Sequence, residues 1–333
     1  MSERALASTP AGKAGFALPS VLFVVAMVTL VFLVAIEALT GLAAEARRAR
    51  DGAAFQARAL DLEARATFLA ATRPLGPAAV LAGDQPGAPP LLALDGRPYA
   101  APGGLALSAQ DEAGLINLDT LPRDAEPRLF AALGVASGWQ GAMADRFADF
   151  VDPRDLKREN GADLSDYAAA GLPPPPKGPL VQRDQLLGLM GWNSLVAAPA
   201  WRDFRDNLTA DPVSTRVNVN TATPAMLEVI YGLTPAQAAL AVARRGQASF
   251  FELEDLGRAA GVPLHGDVEL SYTVPNGRIA LRIADPAGGL TYRSRILLSP
   301  DDPARPFSVA EPETARLNGA ERAALPAHAP ALP

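Results

Sequence analysis

Residues 16–36 read FALPSVLFVVAMVTLVFLVAI and follow the polar stretch Lys13-Ala14-Gly15. The run carries no charge, and only Pro19, Ser20 and Thr29 interrupt its apolar character. At about 1.5 Å per helical residue it spans roughly 32 Å, one bilayer hydrocarbon core. A cleaved secretory signal has a shorter apolar region of about 7–15 residues. The length therefore predicts a permanent single-pass anchor. A free product would instead need cleavage near Ala43 or Ala44. Arg4 and Lys13, against Glu3, favour a cytoplasmic N-terminus, although Arg47, Arg48 and Arg50 beyond the span blunt that asymmetry.

Beyond the membrane the pattern stays helical across residues 37–72 and stops at Arg73-Pro74, because proline disfavours helix at the residue before it. Phe55, Ala59, Leu62, Ala66 and Leu69 recur at alternating spacings of four and three, one stripe of a helix. That stripe is expected to be buried against a globular head, while residues 16–54 are free to pack against other subunits.

Residues 73–103 are rich in Pro, Gly and Ala and read as a loop. Short strands are expected at residues 105–108 and 113–118, around the turn Gln110-Asp111-Glu112. Ile279, Leu281 and Ile283 alternate with Ala280 and Arg282, and a second extended run, residues 290–298, follows the breaker Asp285-Pro286-Ala287-Gly288-Gly289. This is a hairpin signal. The expected architecture is α+β. A small antiparallel sheet is formed by residues 73–118 and 269–300, and an α-helical domain, residues 119–268, is inserted between its halves. Residues 301–333 are Pro/Ala/Glu-rich and are expected to be disordered.

The insertion holds a weak repeat. Ile116-Asn117-Leu118-Asp119-Thr120 parallels Val217-Asn218-Val219-Asn220-Thr221. Each copy is followed by a helical run ending near Gly134 or Gly232, then by a second helix near residues 142–151 or 235–244. The Asp119-Thr120 and Asn220-Thr221 pairs suit helix N-caps. The second copy also resembles a helix-hairpin-helix. Its hairpin, Gly232-Leu233-Thr234-Pro235, lacks a second glycine, proline removes an amide donor, and Arg244-Arg245 lies at the far end of the helix. Nucleic-acid affinity depends on neutralised phosphates, so protein packing is favoured over DNA binding.

Composition narrows the chemistry. The chain of 333 residues has net charge −6, no cysteine and two histidines, His265 and His328. A disulfide framework and a thiolate metal site are excluded, and a histidine-based zinc site is disfavoured. No nucleophile elbow, phosphate loop or dinucleotide glycine fingerprint is present. An enzyme is not expected. Asp149, Asp152, Asp155, Glu159, Asn160, Asp163 and Asp166 concentrate oxygen donors around Asn160-Gly161. That composition suits calcium, which takes about six to eight oxygens, although the spacing is not that of an EF-hand; the alternative is a solvated turn whose acids cap helices.

The leader and anchor together resemble the class-3 leader cut by prepilin peptidase. The resemblance implies cleavage between Gly15 and Phe16 and N-methylation of Phe16. Most pilins and pseudopilins carry glutamate at the fifth mature position; here it is Ser20. An unpartnered carboxylate in a bilayer is costly, so Ser20 suits a subunit with nothing stacked above it. DEAGLINLDTL at 111–121, followed by VNVNTATPAML at 217–227 and a Gly-Leu-Thr hairpin, is similar to minor pseudopilin K of type II secretion systems. With the leader, the similarity covers most of residues 12–300. It implies an inner-membrane protein with a periplasmic head, placed at the pseudopilus tip, where it initiates assembly and supports export. The implied helical domain contains helix-hairpin-helix or SAM-like units. The implied partners are other minor pseudopilins, prepilin peptidase and exported proteins; calcium is the implied cofactor. The competing reading is a membrane-anchored helix-hairpin-helix protein for DNA uptake.

Overall fold

The computed structural model describes residues 17–154, 156–213, 217–264 and 271–317, with Gly319, Arg322, Leu325, Pro330 and Ala331 beyond them. It divides into two units, residues 1–55 and 56–333. Helix α1 runs Ala17–Thr72. Its last turn closes with the Thr72 hydroxyl donating to the Phe68 carbonyl at 2.6 Å, just ahead of Pro74.

Four strands follow α1: β1 (Ala79–Leu81), β2 (Pro90–Ala93), β3 (Asp95–Ala101) and β4 (Leu105–Asp111). The expected loop at 73–103 thus contains three strands. They are short and punctuated by Gly and Pro, so no period accumulates within any one of them. Residues 112–114 form a 3-10 turn, and of the strand expected at 113–118 only β5 (Ile116–Asn117) is extended.

The helical region then contains α2 (Glu126–Ala132), α3 (Ser137–Val151), α4 (Leu164–Ala169), α5 (Trp192–Leu195) and α6 (Ala198–Phe204), closed by β6 (Leu208–Thr209). Its second part comprises β7 (Val217–Asn218), α7 (Pro224–Tyr231), α8 (Pro235–Arg245), α9 (Leu253–Ala260) and β8 (Ser271–Tyr272). The chain returns as β9 (Arg278–Asp285), β10 (Leu290–Leu298) and β11 (Phe307–Arg316). Strand β11 corrects the expectation of a disordered tail over 301–333. It is an edge strand exposed along most of its length, so it has no alternation to read and is held by its ladder to β10.

The main sheet has the order β11-β10-β9-β4-β3, and its pairings are antiparallel. Both edges carry a proline, Pro98 in β3 and Pro312 in β11, where the missing N–H costs no central pairing. Register assigns the faces. Leu107, Ile283 and Tyr292 form one row, and Asp111, Ile279 and Ile296 another. This face meets α1: the Tyr292 hydroxyl donates to Glu63 at 2.7 Å. Of the α1 stripe within this unit, Ala59, Leu62 and Ala66 are buried, whereas Leu69 is only half-buried. Each fully buried Leu or Ile on the sheet face contributes roughly 1.5–3 kcal/mol. The opposite face carries Ser108, Arg282 and Arg293 in one row, and Gln110, Ala280 and Arg295 in the next. It is turned toward the helical region.

Candidate functional site

The anchor segment of α1 is apolar over a full membrane thickness, with no residue of its most hydrophobic window buried. Leu22, Phe23, Phe32 and Leu33 are each more than half exposed. The one threonine in the span is internally satisfied, Thr29 Oγ1 donating to the Val25 carbonyl at 2.8 Å, as lipid requires of a polar group. Ser20 lies within the first turns of this helix. Gly15 and Phe16, the expected processing site, lie outside the described residues.

The repeat is visible in hydrogen bonding. In the first copy the Asn117 side chain accepts from the Asp119 amide at 3.2 Å; in the second, Asn218 accepts from Asn220 at 3.0 Å. Each copy also begins with a two-residue parallel ladder, β5 on β6 and β7 on β8, and each is followed by a helical hairpin. The expected capping role of the Asp/Asn-Thr pairs is corrected. Helix α7 is capped by Thr223, which accepts from Met226 at 3.2 Å, and α2 has no side-chain cap. Asp119 and Asn220 hold distant chain instead. Asp119 accepts from the Leu180 amide at 2.6 Å, and Asn220 accepts from the Phe250 amide at 2.7 Å.

Asp111 joins the second copy to the sheet. Its carboxylate is fully buried and accepts from Asn218 Nδ2 at 2.9 Å, Thr221 Oγ1 at 2.8 Å, and the amides of Ala113 at 3.2 Å and Asn276 at 3.3 Å. Burial pushes its pKa up, and these donors oppose the shift. Gly114 lies against the same segment: a Cβ there would come within 2.3 Å of the Thr221 carbonyl oxygen. Neither Asp111 nor Gly114 was singled out from composition. The available signal was their position at the head of the first copy.

The hairpin of the second copy is internally occupied. Gly232 adopts φ 65° and closes α7. Arg128, from the first copy, donates to the Val229 carbonyl at 2.7 Å and to Ile230 at 3.2 Å. The Thr234 amide is taken by Gln237 Oε1 at 2.9 Å. Arg245 turns inward onto the Ala222 and Val219 carbonyls, and burial lowers its pKa to about 10. A phosphate-binding hairpin needs free amides and outward cations; this one is committed to protein packing.

In the acidic loop Asp149, Asp152, Asp163 and Asp166 each have a partner within the protein. Asp149 is fully buried, paired with the Arg158 guanidinium, and accepts the Arg158 amide at 3.0 Å. Asp152 takes Arg154 Nε and a terminal guanidinium nitrogen, both at 3.1 Å, and the resulting hydrogen bonds hold its pKa at about 2. Asp163 and Asp166 form the capping box of α4. Ser165 and the Asp166 amide hold Asp163 at about 2, and Lys157 lies 2.7 Å from Asp166. Asn160 donates to Asp145 at 3.1 Å, a residue the composition argument missed; Glu159 is exposed. Asp155 lies outside the described residues. Gly161 is required, because a Cβ would lie 1.7 Å from Asp149 Oδ2. Among the described residues no three carboxylates or histidines converge to hold a metal ion.

Residues 106–199 match the family model described as type II secretion system, protein K. No curated protein matches the chain. Among solved structures, a chain of the GspK-GspI-GspJ complex from the enterotoxigenic Escherichia coli type 2 secretion system is 19% identical, with a TM-score of 0.46. That alignment covers 64% of this chain and 80% of the other.

Proposed function

We infer that this chain is a minor pseudopilin of the type II secretion system, of the protein K kind, and that its work is mechanical. One observation carries the reading: the protein K match at residues 106–199 begins in the sheet and extends into the helical region. An apolar helix of membrane length precedes it in the same chain. In this role α1 holds the protein in the inner membrane with its head in the periplasm. Prepilin peptidase cuts after Gly15 and methylates Phe16. The exposed apolar helix then packs laterally against other minor pseudopilins, and Ser20 removes the need for a partner above, which suits the tip. There the protein initiates assembly and its head meets exported proteins. No covalent chemistry is assigned to it.

The test is the mature N-terminus together with export. Mass analysis of the membrane-extracted protein should return a chain beginning at methylated Phe16, and deletion should abolish export. A mature protein starting near Ala43 would remove the reading.

Calcium at residues 149–166 is a proposal on composition. The donors are abundant, but a divalent ion must displace Arg158 from Asp149 and Lys157 from Asp166. Calorimetric titration of the chelator-treated chain decides it. If the ion binds, Arg158→Gln should tighten binding roughly ten-fold, because the competing cation is gone. Absence of heat in both proteins ends the proposal.

A further inference from the structure

The helical region is inserted between two neighbouring strands of the main sheet. The chain leaves β4 after Asp111 and returns at β9, where Ile279 is the direct cross-strand partner of Asp111. Both crossings therefore lie side by side. The buried Asp111 carboxylate ties them together, accepting from the Ala113 amide on the way out and the Asn276 amide on the way back. At the same end, Gln110 Nε2 donates to the Thr221 carbonyl at 2.9 Å, and Arg278 lies 2.9 Å from Asp211. The helical region has its own apolar core: among the described residues its buried members come from residues 116–260, with none from α1 or the main sheet. The apolar face of the sheet is spent on α1, and the face toward the helical region carries Ser108, Gln110 and Arg295. Parts of one chain that share no large apolar interface move relative to one another by default.

Away from this attachment a cavity of about 750 Å³ separates the sheet face from the helical region. Toward the β11 edge of its lining the two parts meet through charges. Arg205, after α6, lies 3.2 Å from Glu313 on β11, and Asp206 lies 3.7 Å from Arg293 on β10. Glu313 and Arg293 are cross-strand partners in the row of Ser108. That row is three residues along the strands from Asp111, and β11 is three strands across, about 10 Å and 14 Å by strand rise and spacing. The side chains of Glu313 and Asp206 are 47% and 34% exposed. Ion pairs so open to water contribute little and weaken with salt. Arg205 Nε and Asp206 Oδ1 are buried and make no hydrogen bond among the described residues, a cost that hydration on separation returns.

We propose that the helical region is a hinged body, pivoting at the Asp111 cluster and latched at the β11 edge by Arg205–Glu313 and Asp206–Arg293, and that the latch opens as ionic strength rises. Residues 112–115 and 273–277 are the hinge, because the backbone passes between the two parts there. Hinges of this kind confine the change to a few connecting residues. Opening widens the cavity and leaves the core of each part unbroken. The inference stands apart from the secretion reading.

The test uses the full chain in detergent micelles, which has no native cysteine to compete with introduced labels. Spin labels at Ala198→Cys on α6 and Thr314→Cys on β11, both exposed positions, report across the latch. Labels at Ala198→Cys and Asn193→Cys, both within the helical region, are the control. Pulsed dipolar spectroscopy compares sodium chloride at about 0.01 M and about 1 M, where the screening length falls from roughly 30 Å to roughly 3 Å. Across the latch a population with a longer separation should grow by about three-fold, the scale of a partly exposed ion pair, while the control pair stays unchanged. Glu313→Gln and Asp206→Asn should each raise the longer population already at low salt, and Glu254→Gln, exposed on α9, should not. A single separation at both salt concentrations overturns the proposal, whether or not the variants fold. Lengthening that appears equally in the control pair also overturns it, since the helical region would then be unfolding and not swinging. Salt-driven opening that neither latch variant reproduces overturns the assignment of the latch.

Discussion

The two copies of the repeat start alike and are secured differently. Asn117 and Asn218 each fold their own backbone into the same side-chain turn, and each stands in a two-residue parallel ladder. The first copy then ties itself to other parts of the helical region: Asn117 donates to the Asp211 carbonyl at 2.9 Å, and Asp119 holds Leu180. The second is tied to the sheet through Asp111, and Asn218 also reaches the Pro77 carbonyl at 2.9 Å. Both copies feed one apolar core, including Leu129 and Phe130 from one and Met226 and Leu227 from the other. The two units share an internal turn and differ in outward contacts: one ties the helical region together, and the other fastens it to the main sheet.

The sharpest way to break this asymmetry is Asp111→Ala. It strands the buried donors of Asn218 and Thr221 and should cost about 3 kcal/mol or more, since each unsatisfied buried group costs roughly 1–3 kcal/mol. Urea unfolding of the purified chain measures it; a loss under about 1 kcal/mol would mean that the clasp is not what holds the two parts together. Gly114→Ala should follow at about 1–3 kcal/mol, the ordinary range for overpacking, because its new methyl meets the Thr221 carbonyl rather than a flexible side chain. Asp119→Ala, in the first copy, should cost only about 1 kcal/mol by loss of one backbone contact. Equal losses for Asp111→Ala and Asp119→Ala would erase the distinction between the copies.

A pH dependence is expected from the first copy. Burial, ahead of all other causes, pushes Glu126 at the start of α2 from 4.5 up to about 7. The folded state therefore holds a proton that the unfolded chain has released. Stability from this group is complete below pH about 4.5 and declines as pH rises through 7. Glu126→Gln should flatten that slope in unfolding experiments between pH 5 and 8, and an unchanged slope would assign it elsewhere.

What could be read without coordinates was what depends on local period and on a single solvent. The membrane-length run and its helical continuation follow from uninterrupted apolarity and the Arg73-Pro74 stop. The β9–β10 hairpin follows from alternation across a Gly-rich break. The paired Asn motifs announced two related units. Strands β1–β3 and β11 were not legible, because short or edge strands bury too little to leave a pattern; their ladders, made by distant residues, decide them. The acidic loop shows the same limit. Composition counts oxygens, but whether they face an ion or an arginine depends on where Arg158 and Lys157 fold back.

Asp111 is the clearest case. By itself it is one aspartate in a turn; only the return of residues 218, 221 and 276 to its side makes it a buried clasp. Hydrophobic period is a local property that the chain carries in its order, whereas polar partnership is chosen by three-dimensional proximity.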